Sequence, residues 1–85
     1  MTTESNILEH GAQPIDALMV ERGMSNHDLV AAAKTQLTHK AVRKARKGRQ
    51  LTVRLQKKIV EAYNETLEED AAELTLDQLF NYRGK

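Results

Sequence analysis

Eighty-five residues with 13 Lys and Arg against 12 Asp and Glu make one small domain with a single core, and the lack of cysteine excludes a disulfide framework and thiol chemistry. Tyr63, Phe80 and Tyr82 are the only aromatic residues, and there is one proline and no long alternating β-branched run. The core must therefore come from Leu, Ile, Val, Met and Ala in packed helices rather than from a sheet. The net charge of +1 hides a segregated layout: ten of the 13 cations lie between Lys34 and Lys58, a stretch with no Asp or Glu, and Glu61, Glu65, Glu68, Glu69, Asp70, Glu73 and Asp77 follow it.

Residues 1–13 are polar apart from Ile7 and Leu8 and read as a flexible N-terminal arm. The start, MTTESNILEH, has no basic segment leading into an apolar run, and nothing approaches the length of a membrane span. With the missing cysteines this sets the expectation of a soluble, cytoplasmic protein with no membrane partner. Pro14 opens the first helix where a missing N–H costs nothing, Ile15, Leu18 and Met19 form its apolar stripe, and Gly23 ends it after Arg22. Ser25 with Asp28 three residues on is a capping pair for a second helix, which buries Leu29, Ala32 and Ala33. Lys34, Thr35 and Gln36 make the following turn.

The next stretch, Leu37 to Arg49 (LTHKAVRKARKGR), organises the chain. At 3.6 residues per turn, Ala41, Val42 and Ala45 fall on one side and His39, Lys40, Arg43, Lys44 and Lys47 on the other. Thr38 caps the start and Gly48 supplies a left-handed stop, which predicts a helix over 38–47 of roughly three turns. A solvated helix face ordinarily mixes signs to gain pairing one turn apart, and this one carries a single sign. Small alanines let the helix press on a neighbour while its long cations project, a geometry suited to a DNA major groove.

Thr52 caps a fourth helix reaching about Asn64, with Leu55, Ile59, Ala62 and Tyr63 inside and Arg54, Lys57 and Lys58 outside. Residues 65–73 are acidic and weakly periodic, a linker or a fraying helix end. Thr75 and Gln78 form a capping box and Leu74 and Leu79 a hydrophobic staple, so with Leu76, Phe80 and Tyr82 they specify a short helix that must dock on its own bundle or on a second copy. The expected fold is all-α, a small four- to five-helix bundle containing a helix-turn-helix. Its expected parts are an arm (1–13), a DNA-binding domain (14–64) and an acidic linker with a docking or dimerisation helix (65–85).

His10, His27 and His39 lie far apart with no metal-ligand spacing, no nucleophile sits in a reactive context, and there is no glycine-rich phosphate loop. A non-enzyme without cofactor, metal or small-molecule ligand is expected.

From Gly23 onward the order of residues resembles the lambda-repressor-like helix-turn-helix family, of the Cro/CI or XRE type. Gly23-Met24-Ser25-Asn26-His27-Asp28-Leu29-Val30 is similar to that family's entry into its second helix, and Leu37-Thr38-His39-Lys40-Ala41-Val42 to the cap and buried position of its recognition helix. The likeness covers about residues 14–64; the turn departs from the pattern, being about two residues longer and lacking Gly. The resemblance implies that His39, Lys40, Arg43 and Lys44 face base edges. It places Asn26 and Thr38 near the phosphate backbone, where Lys47, Arg49, Arg54, Lys57 and Lys58 add charge.

The function expected is a sequence-specific transcriptional regulator bound to double-stranded DNA as a homodimer on a palindromic site. The small core and the apolar final helix motivate the dimer. The alternative is a protein-interaction module, antitoxin-like or a phage adaptor, whose basic face meets an acidic partner, or is covered by the acidic tail of the same or a neighbouring chain. Structured RNA is disfavoured by the lack of aromatics suited to base stacking.

Overall fold

The computed structural model describes residues 10–85, which form five helices and no β-strand. In order they are α1 (Pro14–Glu21), α2 (Asn26–Ala32), α3 (His39–Lys47), α4 (Val53–Glu65) and α5 (Leu76–Leu79).

The boundaries have local chemical causes. Pro14 stands at the first position of α1, and Gly23 takes a φ of +67° just beyond its end. The Ser25 hydroxyl accepts from the Asp28 N–H at 3.1 Å while the Asp28 carboxylate accepts from the Ser25 N–H at 2.9 Å. Thr38 and Thr52 cap α3 and α4 by accepting from Ala41 at 3.0 Å and Leu55 at 3.1 Å. At the head of α5, the Gln78 side-chain oxygen accepts from the Thr75 N–H at 2.7 Å.

All five helices contribute to one core. Ile15 and Met19 come from α1, Leu29 from α2, Val42 and Ala45 from α3, Ile59, Ala62 and Tyr63 from α4, and Leu79 from α5, with Leu37, Leu51 and Phe80 filling in from the connections. Leu18 and Leu55, expected in the apolar stripes, are half-buried; the fully buried polar residue of α4 is Gln56. Its amide is satisfied by the C-terminal tail, donating to the Tyr82 carbonyl at 3.3 Å and accepting from the Gly84 N–H at 3.0 Å.

Residues 65–85 belong to this same core. Asn64 grips the returning chain with two 2.9 Å bonds, donating to the Leu74 carbonyl and accepting from the Leu74 N–H, and α5 then packs on α1 and α4. The final helix docks on its own chain.

The expected flexible arm is corrected for its last four residues. Gln13 is 2% exposed; its side chain accepts from the Asn81 N–H at 2.7 Å and donates to the Gly11 carbonyl at 2.9 Å, while its N–H reaches the Arg46 carbonyl. His10 donates its N–H to the Gly48 carbonyl at 2.7 Å and stacks on Tyr82 with ring centroids 4.0 Å apart. A polar side chain reads as solvated in sequence, but here it satisfies main-chain groups that would otherwise be buried without partners. Residues 1–9 of the expected arm lie outside the described residues.

Candidate nucleic-acid interface

The basic helix α3 is held at both ends and along one side. Thr38 fixes its start; at its end Gly48, with φ at +88°, donates its N–H to the Lys44 carbonyl at 3.0 Å. A Cβ at Gly48 would collide with the Gly11 carbonyl, so this position needs glycine both for its backbone angle and for the close approach of residues 10–13. Val42 and Ala45 are fully buried and Ala41 half-buried, so the face opposite them is the one left to solvent.

On that outer side His39, Lys40, Arg43 and Lys47 are exposed and Lys44 is half-exposed. None of the four cations has a carboxylate within salt-bridge distance among the described residues. Arg46, the remaining cation of α3, behaves differently. Its side chain is 19% exposed and turns back over the bundle, where Nε lies 2.6 Å from an Asp16 carboxylate oxygen on α1 and Nη1 donates to the Asn26 side-chain oxygen on α2 at 2.7 Å. One guanidinium thus ties three helices together. Asn26, expected at the DNA backbone, has its oxygen engaged in this tie and keeps its amide N–H groups for another partner. Thr38 accepts the capping bond and keeps its hydroxyl proton as a donor.

The other expected phosphate residues divide into two groups. Arg49 shares a shallow groove with Lys44, Thr52 and Lys85, directly beside α3, and an adjoining groove holds Thr38, Lys40, Lys44 and Thr52. Arg54, Lys57 and Lys58 lie along α4 next to Thr35, flanking the turn between α2 and α3. Lys58 donates to the Gln36 carbonyl at 3.2 Å, which braces this turn. The connection between α2 and α3 spans residues 33–38, six residues without glycine. It takes in Ala33, Leu37 and Thr38 besides the Lys34, Thr35 and Gln36 of the sequence reading.

Sequence reasoning missed three residues here. Arg46 stands one turn after the buried Val42, a local sign of its inward side, but the sequence reading gives it no role. Lys85 is delivered to the groove by tertiary hydrogen bonds, its N–H to the Leu51 carbonyl at 3.0 Å and its carbonyl to the Val53 N–H at 2.9 Å. His27, on α2, stacks on His39, with ring centroids 5.6 Å apart and planes 14° from parallel. Its place near the start of the helix before the basic one was the only available signal.

The acidic segment does not cover α3 within the described residues. Its one ion pair joins Glu65 to Lys34 at 3.1 Å, and Glu61 and Glu73 add to the field there; the bond to Glu65 raises the Lys34 ammonium above its ordinary range. An exposed pair of this kind adds little to stability. The acidic side chains meet cations along α4, where Glu61 shares a groove with Arg54, Lys57 and Lys58 and, with Glu65 and Glu73, another with Lys34 and Lys57, rather than on the outer face of α3.

Among the described residues no cluster of three or more His, Asp or Glu side chains could hold a metal ion, and no helix is long and apolar enough to cross a membrane. Comparisons with protein-family models, with curated proteins and with solved structures found no match.

Proposed function

We propose that this chain is a sequence-specific double-stranded-DNA-binding regulator that lays α3 in the major groove. The observation that carries the reading is the outer face of α3, where Lys40, Arg43, Lys44 and Lys47 stand without carboxylate partners among the described residues, backed by a small apolar face that fixes the helix against the bundle. Leaving four like charges close together on one short helix is unfavourable in isolation, and a polyanion relieves it. Lys40, Arg43 and Lys44 are assigned to base edges. Arg49, Lys47 and Lys85, with Arg54, Lys57 and Lys58 beside the turn, are assigned to phosphates. The reading follows the lambda-repressor-like pattern that the residues resemble, from which the longer, glycine-free turn departs.

A homodimer on a two-fold operator completes the proposal, because one short recognition helix contacts few base pairs. Its contact surface is not the apolar face of α5, which is spent on the chain's own core. Selection of bound sequences from a random duplex pool tests the function. A regulator enriches a defined, two-fold-related motif; an unenriched pool would defeat the reading and leave the acidic-protein alternative in its place.

A further inference from the structure

The stacked pair joins His39, expected at the base edges, to His27, which has no role so far. His27 and His39 come from different helices, are 12 residues apart in sequence, are both exposed, and meet at the side of α2 and α3 from which the outer face of α3 begins. Neither ring has a hydrogen bond to a protein side chain or carbonyl among the described residues, in contrast to His10, whose Nε2 is bonded to Gln50 at 2.8 Å. The pair therefore offers ring N–H groups and protonation sites to solvent at the edge of the cationic face.

We propose that His27 and His39 form a paired-imidazole subsite that takes an anionic phosphodiester oxygen of DNA together with protons, so that affinity for duplex increases as the solution is acidified below neutrality. The inference rests on the DNA-binding reading above, and it moves His39 from the base edges to the backbone while Lys40, Arg43 and Lys44 keep the bases. Imidazole is the side chain whose charge changes between pH 5 and 8. Two rings at stacking distance can face one phosphate oxygen together, and each proton they hold strengthens the contact with it. Binding then draws protons onto the pair.

The charged groups around the pair set the balance. On α2, Asp28 follows His27 and is held in the capping box with Ser25. On α3, Lys40 follows His39 and Arg43 lies one turn further along the same face. On α1, Asp16 is taken up by Arg46. On α4, Glu61 and Glu65 act on Lys34 beyond the far end of α2, about 10 Å of helix away from His27. Apart from Asp28, the charges nearest the pair are thus cationic, a setting that suits an incoming phosphate.

The test is fluorescence-anisotropy titration of a random-sequence duplex at fixed ionic strength from about pH 8 to pH 5.5. The wild-type chain is compared with His27→Gln/His39→Gln, a change at two exposed positions whose folding is checked by circular dichroism. The wild type should gain about tenfold in affinity across this range and the double variant less than about threefold, since each proton taken up on binding contributes at most tenfold per pH unit. Equal pH dependence in both proteins would place the proton elsewhere, at His10 for example, and overturn the proposal, as would pH-independent binding by the wild type. Failure to bind duplex at any pH is a different result: it removes the DNA reading and this inference with it.

Discussion

Arg46 and Asp16 meet at 2.6 Å across α3 and α1, and this contact separates the two kinds of cation in the basic helix. Arg46 is turned inward to set the helix in place, and its neighbours are left outward. Removing it should therefore loosen the fold. Arg46→Ala is expected to lower stability by about 1–2 kcal/mol, given a charge-assisted contact in a partly exposed site. Arg43→Ala should change stability by less than about 0.5 kcal/mol. Urea unfolding of the two variants checks this, and a double-mutant cycle with Asp16→Asn isolates the pair itself.

The outward cations should divide by what they touch. Arg43→Ala or Lys44→Ala is expected to alter preference among duplex sequences, at about 1–3 kcal/mol for a lost bidentate base contact. Arg49→Ala or Lys57→Ala should weaken all duplexes alike and lower the salt slope by about 0.9 per lost phosphate contact. Competition titrations against specific and random DNA distinguish the two patterns.

The α5 helix should act as part of the monomer's core. Leu79 is fully buried in its own chain, and Leu79→Ala is expected to cost about 2–5 kcal/mol. Because the contact is intramolecular, the midpoint of unfolding should shift by the same amount at low and high protein concentration. A loss that grows on dilution would instead place α5 at a contact between copies.

The cap of α2 gives the acid limb of stability a definite sign. Hydrogen bonds from Ser25, backbone first and then side chain, hold the Asp28 carboxyl below its ordinary value. A group depressed in the folded state contributes fully above its unfolded value, near 3.9, and its contribution is lost as the pH falls through the lower folded value. Asp28→Asn should flatten that part of the stability profile below about pH 4 and leave the neutral region's slope unchanged, as measured by thermal unfolding across pH.

The local code was legible almost wherever a boundary depends on residues a few positions apart. Ser25 with Asp28, Thr38, Gly48, Thr52, and Thr75 with Gln78 all stand at the helix ends they specify, because caps and left-handed stops are written within one turn of chain. Long-range polar contacts left no such trace. Gln13 and Gln56 are polar residues with no local mark of burial, yet they bind main-chain groups 68 and 28 residues away. Helical spacing sets Arg46 apart from the outer cations, but its partner Asp16 comes from α1, 30 residues away. His27 meets His39 across two helices, a distance that no periodicity encodes. The candidate surface could thus be assigned to a helix from the sequence, whereas its inward tie and its histidine edge needed the packed structure.

The most direct measurement is a salt-dependent duplex titration of the wild-type chain beside a Lys40→Ala/Arg43→Ala/Lys44→Ala variant whose unfolding midpoint matches it. The account predicts wild-type binding that falls steeply and log-linearly with salt, and a variant with a shallower slope and no preference between a selected sequence and random DNA. Undiminished binding and preference in the variant, or no duplex binding by the wild type even at low salt, would contradict it.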